Sequence, residues 1–156
     1  MKERVIALGF FDGVHLGHGA LLRRAAEEAA LRGCTPAVFT FDRPPKEVVT
    51  GVPCPLINSP EDRRDLVRRL YRIQDVLMVP FDREMMTTPW DDFIVRILVG
   101  RYHAVHLVAG HDHHFGHRNQ GTPDGIYRVY SRDRQFLCLS RAAGGTLTSI
   151  KTFFGA

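Results

Sequence analysis

The sequence predicts an α/β fold, a doubly wound parallel sheet with helices on both faces, in a single domain over residues 1–156. Three observations predict it. Strand-length apolar stretches alternate along the chain with stretches of helical periodicity. The stretches RVIAL, AVFTF, DVLMV and AVHLVA are almost continuously apolar, as strands covered on both faces are. The 156 residues, 44% hydrophobic and 24% charged, suffice for one core.

The elements run in order along the chain. Residues 4–8 read as a first buried strand. Residues 16–32 read as a helix, because Leu21, Leu22, Ala25, Ala26, Ala29 and Ala30 recur at helical spacing and Gly33 closes it. Residues 36–41 form the second strand. Ser59-Pro60-Glu61-Asp62 opens a helix that runs to about Tyr71, with a capping serine, proline at the first helical position and acids in the first turn. Strands come next at 75–79 and 104–109, with a helix at 89–99 between them that stops at Gly100. A short helix is expected over residues 123–130, a last strand over 135–140 and the start of a last helix at 149–154. The pattern is Rossmann-like. In such sheets the ligand lies beyond the carboxyl ends of the strands, where strand order switches, so the loops at 9–18, 42–58, 110–121 and 141–149 should converge.

Composition excludes several classes. No run approaches 18 apolar residues, and MKERVIALGF has only a short apolar stretch, so neither a membrane span nor a secretory leader is expected. Cys34, Cys54 and Cys138, odd in number and far apart, form neither a disulfide framework nor a CxxC metal site, which suits a reducing cytoplasm. The net charge is +4. Arg23, Arg24, Arg63, Arg64, Arg68 and Arg69 fall on helix faces and are expected in solvent. No basic stripe with interleaved aromatics argues for nucleic acid.

The chemistry concentrates in GFFDGVHLGH, residues 9–18. Gly9 and Gly13 permit a tight strand-to-helix turn. His15 and His18 are three apart, so both rings lie on about the same side of the first helical turn, where free N–H groups and the dipole favour an anion. Two imidazole N–H groups could then donate to one phosphate. Gly17 between them lets a flat base or a ribose approach the backbone. The stretch is neither the GxGxxG fingerprint nor a Walker P-loop, and HExxH zinc sites space their histidines by four.

These residues resemble the first motif of bacterial FAD synthetases, the FMN adenylyltransferase domain of bifunctional riboflavin kinase/FAD synthetases, within the HxGH nucleotidylyltransferases. Thr40-Phe41-Asp42 with Pro45 resembles the family's second motif. Phe81-Asp82 and the helix carrying Phe93 resemble its middle segment. Residues 110–116 resemble its G-x-D/N-F-x-F-G loop, and Arg118 and Gly121 resemble the residues just after that loop. Arg43-Pro44 stands where the family has Pro-His, and His113 replaces an aromatic. Leu147-Thr148-Ser149-Ile150-Lys151 lacks the first arginine of the family's Arg-Ile-Arg and has lysine for the second.

The resemblance implies transfer of AMP from ATP to the phosphate of FMN, giving FAD and pyrophosphate, by direct in-line attack. It implies His15 and His18 as catalytic residues, with Gly9, Phe10 and Gly17 also at ATP. Thr148, Ser149 and Lys151 are the candidates for the β- and γ-phosphates. Asp112 is the candidate for the flavin imide N–H and Phe115 for stacking, with Arg118 also on the FMN side. Asp12 either touches the flavin side or caps the turn. Mg²⁺ is expected through the ATP phosphates rather than on a protein metal site. The histidine-rich stretch 111–117 reads as a polar pocket loop, His106 as a core histidine and Trp90 as packing. No riboflavin kinase domain is present in this sequence, so a separate riboflavin kinase is a possible partner. The departures leave two competing readings: a degenerate module that holds ATP or a flavin without turnover, and a nucleotidylyltransferase for another phosphorylated acceptor.

Overall fold

The computed structural model describes residues 2–110 in full and the backbone of three further strands, at 125–130, 136–143 and 146–152. Four strands, β1 (Arg4–Leu8), β2 (Thr35–Phe41), β3 (Asp75–Val79) and β4 (Ala104–Ala109), form one sheet in the order β3-β2-β1-β4. Every pairing in it is parallel. Strand order runs outward from β1 to β3 and then returns to the other side of β1 at β4. That reversal puts the topological switch at the carboxyl end of β1, where the doubly wound fold places its ligand.

The alternation of β1 divides the core. Val5 and Ala7 enter a cluster with Leu22, Ala25 and Ala29 of α1 (Leu16–Arg32) and Val67 of α3 (Pro60–Tyr71). Ile6 and Leu8 enter a second cluster with Phe93 and Leu98. These two lie in a π-helix (Phe93–Arg101) that continues the short helix α5 (Trp90–Asp92). The sheet is therefore covered on both faces, and no strand of it shows clean apolar/polar alternation. Trp90 packs against the second cluster, as expected. Two short helices, α2 (Pro45–Thr50) and α4 (Arg83–Thr87), add to the predicted elements; at five or six residues they are too short to show a periodicity.

The start and stop signals act as read at Ser59 and Gly33 but not at Gly100, through which the π-helix continues to Arg101. Ser59 Oγ accepts from the Asp62 N–H at 3.1 Å at the start of α3. Gly33, at φ +64°, ends α1 and donates to the carbonyls of Ala29 and Ala30. The arginines match expectation at four of the six positions. Arg23, Arg24, Arg68 and Arg69 are exposed and Arg64 is half-buried, but Arg63 is only 1% exposed.

The carboxy-terminal part departs from expectation. Residues 125–130 form a strand, β5 (Gly125–Tyr130), not a helix. Residues 149–152, expected to open a helix, lie in the strand β7 (Thr146–Thr152), and residues 153–154 lie outside the described residues. The strand expected at 135–140 is present as β6 (Phe136–Ala143), but it pairs antiparallel with both β5 and β7 in a separate three-stranded sheet. The physical reason is composition. Ile126, Tyr127, Val129 and Tyr130, and later Thr146, Thr148, Ile150 and Thr152, are aromatic or β-branched residues that prefer a pleated surface. Pro123 and the Ser149-Ile150-Lys151 stretch imitate helix starts only locally. The loop expected at 141–149 is thus largely strand.

Leu22 is fully buried between α1 and the sheet. Leu22→Ala should cost about 3 kcal/mol in chemical denaturation, and a loss under about 1 kcal/mol would contradict this placement of the core.

Candidate active site

The turn after β1 is strained. Phe11 (φ 59°), Gly13 (φ 73°) and Val14 (φ 41°) all lie in the left-handed region. For a non-glycine residue this costs about 1–3 kcal/mol, and for a β-branched valine it is a rare conformation. Such a conformation persists only where its surroundings over-determine it, and here they do. The Phe11 side chain is fully buried. The Phe10 carbonyl accepts from Thr40 Oγ1 at 2.8 Å and from Arg63 Nη1 at 2.6 Å. Both Asp12 carboxylate oxygens are engaged: Oδ2 accepts from the Ile57 N–H at 3.0 Å and Oδ1 from the Asn58 N–H at 3.0 Å. Gly13 is required twice over, since its φ is left-handed and a Cβ there would lie 2.9 Å from Ile57 Cδ1.

The turn delivers His15 to the start of α1 as its cap. His15 Nδ1 accepts from the His18 N–H at 3.3 Å. With its lone pair committed at Nδ1, the neutral ring carries its proton on Nε2, free to donate. The His18 ring stacks on the His15 ring, centroids 3.6 Å apart and planes 19° apart, and meets the edge of Phe11 at 5.2 Å. A Cβ on Gly17 would sit 3.2 Å from His15 Cε1, so glycine there makes room for the capping imidazole itself. His18 Nδ1 is buried with no partner among the described residues. His15, Leu16 and Gly17 are exposed. The result is a pair of stacked imidazoles at a helix N-terminus, open to solvent on the His15 side. That arrangement suits a phosphate.

The second motif is tied to the same place. Thr40, 1% exposed, bonds Phe10, and Asp42 Oδ1 accepts from the Phe81 N–H at 3.0 Å. An open cleft of about 630 Å³ is lined by Asp42, Arg43, Glu47, Glu61 and Arg64 among others. Neither histidine lines it. Arg63, expected in solvent, instead stacks on the Phe10 ring at 4.2 Å and donates through Nη2 to the Phe41 carbonyl at 2.8 Å. A helix-face reading misses it because Arg63 shares the buried face of α3 with Val67 while Glu61 and Asp62 beside it are exposed; its place four residues before Val67 is the available signal.

The other expected residues divide by position. Gly9 and Phe10 lie in the turn, and the Gly9 N–H donates to the Phe39 carbonyl at 3.3 Å. Asp12, expected either on the flavin side or as a cap of the turn, accepts instead from the Ile57 and Asn58 N–H groups ahead of α3. Thr148, Ser149 and Lys151 lie in β7, not at a helix start, paired with Arg141, Ser140 and Leu139; the register skips Ile150. Asp112, Phe115, Arg118 and the histidine-rich stretch 111–117 lie outside the described residues. Among the described residues no cluster of three potential metal ligands occurs. His106 is half-buried beside Glu28, and burial holds its basicity below the ordinary imidazole value.

Burial also pushes the His18 pKa below the ordinary imidazole value, with His15 adding to the shift and Asp12 opposing it. A histidine whose folded pKa is depressed contributes its stability above the unfolded pKa and loses it as pH falls through the folded one. In an NMR titration His18 should therefore titrate below an unfolded reference histidine. Titration at or above the reference would contradict the burial.

Known proteins sharpen the reading. The sequence model of the FAD synthetase family matches residues 1–137. The chain is 32% identical over 142 residues to the bifunctional riboflavin kinase/FMN adenylyltransferase of Listeria monocytogenes, covering 85% of this chain and 45% of that protein. The protein of the same name from Escherichia coli K12 is 32% identical over 154 residues, covering 96% and 44%. That from Bacillus subtilis is 34% identical over 122, covering 77% and 38%. The chain thus spans under half the length of these relatives. A solved structure, named macrolide-efflux protein from Streptococcus pneumoniae, superposes with a TM-score of 0.68 at 25% identity, covering 78% of this chain and 40% of that one. Among the described residues no helix is long and apolar enough to cross a membrane. With the HxGH turn in place on a parallel sheet and most of the chain matched by the family, this chain belongs to the FAD synthetase family.

Proposed function

We propose that the chain is an FMN adenylyltransferase, a nucleotidyltransferase that joins AMP from ATP to the phosphate of FMN and releases pyrophosphate. The observation that carries it is the stacked His15–His18 pair at the start of α1, in a turn whose strain the surroundings maintain. Family membership and the names of the relatives support the substrates.

The chemistry asks little of a base. The FMN phosphate is already an anion at neutral pH and attacks the α-phosphorus in line, displacing pyrophosphate as the P–O bond to FAD forms. What the reaction needs is alignment and relief of charge on the phosphate oxygens. His15 Nε2–H donates to one of these oxygens, the N-terminal dipole of α1 adds to it, and an anion beside His18 favours its protonated form. Asp12 cannot act as the base, because its oxygens hold the 57–58 loop. The same fact bears on Mg²⁺. The turn offers no free carboxylate, and imidazole is a poor ligand for so hard a cation, so no residue of the turn would hold Mg²⁺, which would come with ATP. When bound it neutralises charge on the departing pyrophosphate. Gly9, Phe10 and Gly17 complete the ATP side. Thr148, Ser149 and Lys151 on β7 serve the β- and γ-phosphates, and Asp112, Phe115 and Arg118 serve FMN. The setting is the cytoplasm, where a riboflavin kinase activity would supply FMN.

The test is to incubate the full chain with ATP, Mg²⁺ and FMN and to follow FAD by chromatography. FAD should form. His15→Asn keeps an acceptor for the α1 cap but loses the imidazole, so turnover should fall about 10²–10³-fold with the melting temperature nearly unchanged. No FAD, with ATP or FMN still bound tightly in calorimetry, would show a binding module instead. Turnover of another phosphorylated acceptor in place of FMN would correct the substrate.

A further inference from the structure

We propose that Arg63 is a positioning residue for the histidine turn: its buried guanidinium clamps the ends of β1 and β2 and thereby sets where His15 and His18 stand. The inference rests on the function proposed above.

The first ground is energetic. A guanidinium that is 1% exposed has lost its water, and burial works against its charge. Buried charges usually recover this loss through a contacting carboxylate. Among the described residues none lies within ion-pair distance of Arg63; Asp12 and Asp42 favour its charge only from farther away. Nε has no hydrogen-bond partner among the described residues. Apolar side chains of similar volume often replace buried ions at no loss of stability. Packing alone is therefore a poor reason for arginine at this position.

The second ground is geometric. Nη1 donates to the Phe10 carbonyl at 2.6 Å and Nη2 to the Phe41 carbonyl at 2.8 Å. These carbonyls lie at the carboxyl ends of the neighbouring strands β1 and β2, within the first and second motifs. The planar fork spans both at fixed separation, which a lysine ammonium cannot do from one point. The face of the guanidinium lies over the Phe10 ring at 4.2 Å and fixes that side chain as well.

The third ground is the bracing. Arg63 reaches from α3 to Phe10, the residue before left-handed Phe11. Asp12, the residue after it, reaches back to Ile57 and Asn58, just ahead of α3. The two tethers run in opposite directions between the same two segments. They bracket the strained residue from both sides. A turn held in this way resists relaxation, and it is this turn that delivers His15 as the cap of α1.

Arg63→Lys in the full chain is the test, since it keeps the charge and removes the fork. Displacement of the histidines by about 1 Å predicts a kcat lower by about 100-fold. KM for ATP should stay within about threefold, because binding in ground and transition states is not altered alike. The ¹⁵N-imidazole NMR signals of His15 and His18 should shift, which a merely structural loss elsewhere would not produce. A kcat within about threefold of the parent with unshifted imidazole signals would overturn the proposal. If Arg63→Lys does not fold, Thr40→Val removes the other donor to the same carbonyl; shifted imidazole signals and a kcat lower by about tenfold support the clamp, and parent-like values overturn it. If the parent chain itself makes no FAD, the functional reading fails. The clamp is then decided by the imidazole signals alone, shifted in Arg63→Lys if it exists and unmoved if it does not.

Discussion

The Phe10 carbonyl oxygen is the point from which the site is built. Two donors from different elements converge on it, the Thr40 hydroxyl from β2 and the Arg63 guanidinium from α3. It lies directly before a turn with three left-handed residues. Without such anchoring, the chain after β1 would escape the left-handed region by rotating about φ, and the helix start would move with it. With it, Phe11 is driven into the core beneath the sheet ends and His15 arrives as the cap of α1. Strain in the turn and the order of the histidine pair are two results of one constraint.

Electrostatics depend on the same packing. His18 is pressed between His15 and Phe11, so burial favours its neutral form in the free protein. His15 gives its Nδ1 lone pair to the backbone and keeps a proton on the outer nitrogen. The site therefore waits for an anion with a donor already oriented and a second ring whose protonation an anion would favour. Asp12 holds the adjoining loop with a carboxylate that backbone N–H groups and Arg63 keep ionised against the opposing effect of burial, its pKa below the ordinary value. It takes no part as a proton acceptor. A chemistry whose nucleophile is already ionised fits this set of groups.

The parallel sheet is legible in the sequence because each of its strands is a short, nearly uninterrupted apolar run between helix signals with caps. Ser59, Pro60 and Gly33 announce helix ends in one residue each, and they act as announced. The histidine turn is legible through spacing, since three residues on a helix bring two rings together. What the sequence conceals depends on tertiary contacts. Arg63 looks like any surface arginine on a helix until α3 is docked on the ends of β1 and β2. Gly17 reads as space for a ligand, and only the folded turn shows that it also makes room for the neighbouring His15 ring. The strands β5 and β7 read as helix starts when a proline and a serine are weighed above β-branched composition, a preference that shows its strength only when partners are paired across β6. Asp112, Phe115 and Arg118 fall outside the described residues, so their place rests on sequence motifs.

The central claim is that the stacked pair at the start of α1 handles the α-phosphate of ATP. A crystal structure of the full chain with a non-hydrolysable α,β-methylene ATP analogue, Mg²⁺ and FMN tests it most directly. The α-phosphate oxygens should lie within hydrogen-bond distance of His15 Nε2, with the FMN phosphate in line behind the α-phosphorus. A nucleotide whose phosphates lie in the cleft beside Arg43 and Arg64, with His15 and His18 left in solvent, would contradict it.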